Sequence, residues 1–273
     1  MSTWDDWIGR QTVVNSQLDP AQSGRLQSTL DRESTLVEGN YLPPAWHWIY
    51  FFDSFRSSDL GHDGHTRLGL TLPQFPLPRR MWAGGHIKWL EPVVLGVPAS
   101  RTTTIASIEE KTGRTGELIF VTLEHVVTQN STACIVEEQN IVYREASKSS
   151  NSVTPDPAET ESDFSQEWKF TSAELFRYSA LTFNSHKIHY DRDYAREVEG
   201  YSNLVIHGPL LATLMLDLAS QNQRQLREFS YRARSPICLP EGLVTHGRVH
   251  ESKTELWVAS ESGALAMQGT LNS

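Results

Sequence analysis

Residues 208–220, GPLLATLMLDLAS, decide the fold. Apolar side chains fill most of this stretch, and Asp217 is its only charged residue. Pro209 stands where the first turn of a helix tolerates proline. A helix that is apolar almost all round cannot leave a face in water. The sequence therefore predicts one central helix enclosed by other elements.

Strand-like segments follow this helix and supply the enclosing layer. β-Branched and aromatic residues predict strands over residues 229–234, 243–252, 254–260 and 264–271. Before it, Thr171 is a good helix cap, and a short helix is predicted over residues 171–180. One buried helix wrapped by a long antiparallel sheet is the pattern of a hotdog fold.

The first half of the chain shows the same order of elements. PPAWHWIYFF at residues 43–52 predicts a second apolar helix from Pro44 to Phe52. Predicted strands follow over 82–90, 101–110, 116–129 and 133–143. EPVVL at 91–95 also matches SPICL at 235–239, although the repeated order is the stronger signal. We therefore predict an α+β fold, a double hotdog of two tandem units.

A polar segment divides the two halves. It contains Pro155, Pro157 and a cluster of acids, and it has almost nothing apolar to bury. We predict a first unit at 1–145, a linker at 146–166 and a second unit at 167–273.

Composition limits the class of partner. Lys and Arg total 24 against 33 for Asp and Glu, a net charge of -9, which argues against nucleic-acid binding. No apolar run approaches the ~20 residues that span a bilayer, and the N-terminus lacks the basic and apolar regions of a signal peptide. Two cysteines in apolar runs suit a reducing compartment. We expect cytoplasm, or the mitochondrial matrix in a eukaryote.

Candidate catalytic groups are concentrated just before the central helix. His186, His189 and His207, with Asn184, fall within 24 residues. The helix then begins at Gly208, where backbone N–H groups are unpaired and the helix dipole is positive. Such an N–H group suits a thioester oxygen that becomes enolate-like during reaction.

This stretch resembles the MaoC-like hydratases, and within them the branch of type 2 hydroxyacyl-thioester dehydratases and mesaconyl/itaconyl-CoA hydratases. YSALTFNSHKIHYD at 178–191, Tyr-Ala at 194–195 and VIHGPL at 205–210 carry the resemblance, and RRMWAGG at 79–85 extends it into the first half. The resemblance implies that water is added to or removed from the α,β double bond of an acyl thioester.

The wider family places an aspartate and a histidine on the reacting water. Here His189 matches the histidine, but Asn184 stands at the aspartate position. An amide cannot exchange protons as a carboxylate does. The resemblance therefore implies that His189 moves the proton, that Asn184 holds the water and that the Gly208 N–H stabilises the oxyanion.

Further residues are predicted to bind substrate or to cover it. His186 and His207 flank the catalytic pair, and Arg79 and Arg80 suit CoA phosphates or an acyl carboxylate. The first half lacks an Asn/His pair, so we expect it to be catalytically silent and to shape the acyl pocket. Residues 62–65, which include two histidines and an aspartate, are expected to lie in a flexible loop over the pocket. We predict no metal and no cofactor beyond the CoA of the substrate.

Several functions remain open on these residues. The leading one hydrates a short branched dicarboxylic acyl-CoA, itaconyl-CoA or mesaconyl-C4-CoA, to citramalyl-CoA. A 3-hydroxyacyl-carrier-protein dehydratase runs the same chemistry backwards. A hotdog thioesterase usually needs a carboxylate, which Asn184 does not supply. A non-catalytic protein that binds acyl thioesters is a further alternative. The oligomeric state also remains open, and a homo-oligomer is possible.

Overall fold

The protein folds around one continuous antiparallel sheet with three α-helices in the described residues. The structure is a computed structural model that describes residues 4–113, 116–145, 154–224 and 226–272. The strands are β1 (Gln11–Gln17), β2 (Arg79–Trp89), β3 (Pro98–Gly113), β4 (Gly116–Gln129), β5 (Thr132–Arg144), β6 (Phe164–Trp168), β7 (Glu228–Ala233), β8 (Leu243–Val249), β9 (Lys253–Ser260) and β10 (Leu265–Asn272). The helices are α1 (Pro20–Thr29), α2 (Ser172–Leu181) and α3 (Gly208–Gln221). Over these ranges, no helix is both long and apolar enough to cross a membrane.

The sheet order repeats between the two halves. The strands lie in the order β1-β3-β4-β5-β2-β7-β10-β9-β8-β6. The second half mirrors the first, strand for strand, about the central pair β2 and β7. These two strands run antiparallel, with Ile87 opposite Phe229. The predicted α+β double hotdog is confirmed, and the repeat is clearer in the topology than in the sequence.

Helix α3 is the buried centre of the second half, as the sequence predicts. Its side chains at Leu210, Leu214 and Met215 have no exposed surface. The helix packs on β8 and β9. Burying one such side chain contributes about 1.5–3 kcal/mol, so α3 anchors the core of this half.

The predicted helix over Pro44–Phe52 is wrong. A single 3₁₀ turn, Trp46–Ile49, stands there instead. Ala45 before it is left-handed at φ 66°, a conformation that cannot continue a helix. His47 and Trp48 both bond the carboxylate of Glu137, which fixes the turn against the sheet. The apolar character predicted burial correctly, but tertiary bonds decided the local structure.

Helix α1 was not predicted. Pro20 begins it and the Asp19 side chain caps it by accepting from the Ala21 N–H. Only one side of this polar helix is buried, through Ser23 and Leu26, and it packs against α2. Its sequence therefore lacks the apolar periodicity that reveals a helix.

The predicted linker is too long at its C-terminal end. Residues 146–153 lie outside the described residues, but β6 already begins at Phe164 and pairs with β8. β6 and β1 are the two edges of the sheet. Each carries many polar side chains because one side of an edge strand faces water, which explains why composition concealed both.

Candidate active site

A cavity of about 1260 Å³ lies beside the central strand pair and is lined by residues from both halves. Arg80 and Trp82 of β2 border it from the first half. The second half contributes Gly208 and the histidine turn, which we define as residues 182–190. Asn184, His186 and His189 of that turn all border the cavity. The three residues predicted as catalytic, Asn184, His189 and Gly208, thus face one space.

The histidine turn directly follows the C-terminal end of α2. Thr171 and Glu174 form a capping box at the start of that helix, as the predicted Thr cap requires. After its end, Phe183 adopts a left-handed φ of 50° and turns the chain. Asn184 Oδ1 then accepts the N–H of His186 at 3.0 Å. Asn184 therefore closes a turn, and its amide N–H₂ and the second lone pair of Oδ1 remain for a water or substrate.

His189 has the geometry of a neutral base. Its Nδ1 lies 2.7 Å from the carbonyl oxygen of Val205. A carbonyl only accepts, so the ring proton is on Nδ1 and the lone pair is on Nε2. Burial lowers the pKa of His189 to about 4, and the bond to Val205 opposes that shift. The imidazole is therefore neutral at pH 7 and able to accept a proton.

His207, which was predicted to bind substrate, lies behind His189 and away from the cavity. It has no exposed surface, and it does not border the cavity. Its ring stacks on that of His189 with centroids 3.7 Å apart, and its Nε2 is 2.8 Å from Ser179 Oγ. Burial lowers the pKa of His207 well below the ordinary range. The stacked ring of His207 therefore restricts the rotation of the His189 ring.

His186 borders the cavity beside a histidine from the other half. Its ring is 5.5 Å from that of His189 and 4.2 Å from that of His65. Burial, followed by the charges of His65 and His189, lowers the pKa of His186 to about 2. Among the described residues, donor atoms of Asp63, His65 and His186 lie within 4.8 Å of one another. The sequence placed His65 in a loop over the pocket but assigned it no role at the site.

Gly208 is required by a contact between the halves. A Cβ at this position would lie 2.6 Å from Cε3 of Trp82. Trp82 itself stacks on Tyr231 of β7, at 4.9 Å between centroids. The glycine therefore lets Trp82 pack over the start of α3, and the positive end of that helix faces the cavity.

The two predicted arginines have different surroundings. Arg79 bonds the carbonyl oxygen of Glu199 at 2.9 Å and lies 3.4 Å from its carboxylate, and it does not border the cavity. The structure thus places Arg79, which was predicted to bind substrate, on Glu199 and away from the cavity. Neighbouring residues of a strand point to opposite faces, and Arg80 does border the cavity.

The cavity is positively charged although the chain is negative. Asp53 is the one acidic residue among the described residues that border it. The basic side chains there are those of Arg80, Arg101, Arg144, Arg232 and Arg234. Such a lining suits an anionic ligand.

Comparisons with known proteins agree with this geometry. The family of hydroxyacyl-thioester dehydratase type 2 matches residues 45–239. Mesaconyl-C(4)-CoA hydratase of Chloroflexus aurantiacus is 38% identical, over 98% of this chain and 97% of that protein. The mitochondrial hydroxyacyl-thioester dehydratase type 2 of Schizosaccharomyces pombe is 27% identical, over 92% and 93%. A solved MaoC-like dehydratase of Phytophthora capsici shares the fold, with a TM-score of 0.71 at 13% identity over 98% of both chains. The chain belongs to the hydroxyacyl-thioester dehydratase type 2 family, and it is therefore a hydro-lyase that acts on acyl thioesters.

Proposed function

We propose that this chain hydrates a short branched dicarboxylic acyl-CoA, of the kind represented by mesaconyl-C4-CoA, to the 3-hydroxyacyl-CoA. The relative from Chloroflexus aurantiacus that bears this substrate in its name is similar over nearly the whole chain. The observation that carries the proposal is the pairing of a neutral His189 with Arg80 in one cavity.

His189 would perform the proton transfer. Its Nε2 takes a proton from water while the water oxygen forms a bond to the β-carbon of the substrate. The electron pair of the double bond moves onto the thioester oxygen, where the Gly208 N–H donates a hydrogen bond to the enolate. The imidazolium then returns a proton to the α-carbon as the thioester carbonyl re-forms. Dehydration is the same sequence in reverse, so the enzyme needs no cofactor for either direction.

Arg80 supports the dicarboxylic class. In mesaconyl-C4-CoA the free carboxylate is attached to the β-carbon, next to the position of the attacking water. Burial lowers the pKa of His65 and of His186, and the charge of Arg80 lowers both further. Arg80, His65 and His186 border the same cavity, and we infer that the guanidinium there binds the carboxylate on the β-carbon. Arg232 and Arg234 border the cavity with exposed side chains and suit the phosphates of CoA.

The test compares two substrates on one arginine variant. We expect kcat/KM for mesaconyl-C4-CoA to exceed that for crotonyl-CoA, which lacks the carboxylate. Arg80→Gln should reduce kcat/KM about 10–100-fold for the dicarboxylic substrate, since a charged hydrogen bond contributes about 1.5–3 kcal/mol. The loss for crotonyl-CoA should be small.

Arg79→Gln is the matched control, because its partner is Glu199 and it does not border the cavity. It should leave the ratio of the two substrates unchanged. Equal losses on both substrates in Arg80→Gln would refute the carboxylate assignment. Turnover of the acyl-carrier-protein thioester but not of the CoA thioester would favour the carrier-protein dehydratase. We place the reaction in the cytoplasm, or in the matrix if the cell is eukaryotic, as the yeast relative's name suggests.

A further inference from the structure

A loop of the first half is fixed against the histidine turn of the second. The carbonyl oxygen of Asp63 accepts the N–H of Lys187 at 2.9 Å. Ser185 Oγ donates to the carbonyl oxygen of Gly64. Gly64 has a φ of 91°, and a Cβ there would lie 1.9 Å from the carbonyl oxygen of Ser185. The backbones are in such close contact that the loop has one defined position at the cavity.

This position brings an oriented imidazole to the site. His65 borders the cavity, whereas Asp63 does not. Asp63 Oδ2 is 3.0 Å from His65 Nδ1, and Asp63 Oδ1 accepts the N–H of His65 at 3.0 Å. A carboxylate accepts, so it holds the ring proton on Nδ1 and leaves the lone pair on Nε2. The carboxylate thus fixes both the rotation and the tautomer of His65.

Position 184 lacks the carboxylate that the resemblance assigns to the reacting water. The Oδ1 of Asn184 already accepts the His186 N–H, and an amide cannot take up a proton, so this side chain cannot act as a second base. An attacking water gives one proton to the base, and an acceptor for its other hydrogen would orient its lone pair towards the β-carbon. His189 provides the acceptor for the proton, and the ring of His65 lies 4.2 Å from that of His186, which lies 5.5 Å from that of His189.

We propose that His65 is a second catalytic residue, which accepts the other hydrogen of the attacking water, and that Asp63 is its positioning residue. The proposal rests on the hydration reaction proposed above. The O–H bond directed at His189 breaks, and its proton passes to Nε2 of that ring. The O–H bond directed at His65 stays intact and becomes the hydroxyl of the product. The half that lacks the catalytic turn thereby completes the site of the other.

The same three side chains could be taken for a metal site, since their donor atoms are close together. Both oxygens of Asp63 already accept hydrogen bonds from His65. Hydrogen bonds from His65 also lower the pKa of Asp63 against the effect of burial, so the carboxylate is stabilised without a cation. The arrangement is that of a carboxylate orienting a histidine, which needs no ion.

Three variants of the full-length enzyme test this role with mesaconyl-C4-CoA and crotonyl-CoA. His65→Leu removes the acceptor, and we expect kcat to fall about 10²-fold or more. His65→Gln keeps an acceptor near the place of Nε2, so it should restore most of that loss. Asp63→Asn should resemble His65→Leu, because the amide donates to Nδ1 and moves the ring proton to Nε2.

His62→Gln is the matched control, since this exposed histidine of the same loop does not border the cavity. It should keep wild-type kcat. Nitrogen-15 NMR of the labelled enzyme should show the proton of His65 on Nδ1 in the wild type and on Nε2 in Asp63→Asn. Melting temperatures identify any variant that fails to fold, and the tautomer of the wild type then still tests the geometry.

The outcomes separate this inference from the function on which it rests. A wild-type enzyme that hydrates neither substrate refutes the function, and the inference falls with it. Active wild type with unchanged kcat in folded His65→Leu and Asp63→Asn refutes the inference alone. Loss of wild-type activity on dialysis against EDTA, with recovery on adding Zn²⁺, would overturn it in favour of a metal site.

Discussion

Both halves of the molecule contain buried histidines, and His47 of the first half and His189 of the second differ in what faces the ring. In the first half, His47 Nε2 is 2.8 Å from Glu137, and its Nδ1 is enclosed by protein. In the second half, Nδ1 of His189 is hydrogen-bonded to a backbone carbonyl, and the residue borders the cavity. The His47 imidazole is bound to a buried carboxylate that supports the core. The His189 imidazole stays neutral and available for proton transfer.

The comparison shows that one scaffold has been used in two ways. The sheet order is the same in both halves, yet the first has a 3₁₀ turn where the second has α3. In place of a central helix, the first half has a 3₁₀ turn that is held on the sheet by the bonds of His47 and Trp48 to Glu137. The retained helix gives the second half a dipole and an open N-terminus. The first half still contributes Trp82 and Arg80 to the shared cavity.

The largest effect on kcat is expected from removing the imidazole of His189. His189→Ala should lower kcat by about 10²–10⁴-fold or more, because general acid–base transfer contributes that much. The melting temperature should change far less than activity. His250→Ala, an exposed histidine of the same half, is the control and should keep wild-type kcat. Full activity in folded His189→Ala would show that the comparison assigns chemistry to the wrong residue.

The second variant removes Glu137, the hydrogen-bond partner of His47 in the first half. Glu137→Ala should destabilise the fold by about 3–5 kcal/mol, since it leaves a buried group without its pair. Urea unfolding measures this loss, and the exposed neighbour Glu138→Ala should cost little. Activity per folded molecule should fall much less than in His189→Ala. A stable Glu137→Ala protein would mean that the pair does not support the first half.

The loss of folding stability in Glu137→Ala also depends on pH. Burial raises the pKa of Glu137, but the bonds from His47 and Trp48 outweigh it, and the folded-state pKa is lower than 4.5. A lowered carboxyl pKa adds stability above the unfolded value, and this is lost as pH falls through the folded value. Wild type and variant should therefore converge in acid.

The pH dependence of turnover tests the neutrality of His189. Because burial lowers its pKa to about 4, kcat/KM should stay level through the range near 6.5 where free imidazole titrates. It should fall only as the pH approaches about 4. A His whose pKa is lowered on folding also costs stability as pH falls below 6.5, so unfolding must be followed at each pH. An acid limb at pH 6.5 in the folded enzyme would contradict the account.

The smallest effects are expected at Asn184. Asn184→Asp keeps an acceptor for the His186 N–H and should change stability little. Asn184→Ala loses that bond and should cost about 1 kcal/mol. If Asn184 also holds the water, Ala should lower kcat while Asp retains or raises it. Equal kcat in both variants, with only stability altered, would reduce Asn184 to a turn residue.

Most of the fold could be predicted because its signals are local. The apolar run of α3 and the β-branched strands carry periodicities that appear in sequence. The edges β1 and β6 and the helix α1 lack them, since each shows much of its surface to water. The turn at Trp46–Ile49 was mispredicted because bonds to Glu137, about 90 residues away, determine it.

The site was predictable where its residues are neighbours in the chain. Asn184, His186 and His189 are neighbours in one turn, and the resemblance identified them. His65 is distant in sequence and reaches the cavity through the contacts of Asp63 and Gly64 with the histidine turn. Arg79 and Arg80 could not be distinguished without knowing which face of β2 each occupies. His207 has the right residue type, but its complete burial is a property of packing alone.

Isotope labelling of the product tests the central claim most directly. The wild-type enzyme is incubated with mesaconyl-C4-CoA in H₂¹⁸O, and the product is analysed by mass spectrometry with the thioester intact. The account predicts one ¹⁸O atom in a hydroxyl at the β-carbon, and only background incorporation in folded His189→Ala. Label in a released carboxylic acid would indicate thioester hydrolysis. Intact, unlabelled substrate bound to folded wild type would indicate a binding protein, and either result would contradict the account.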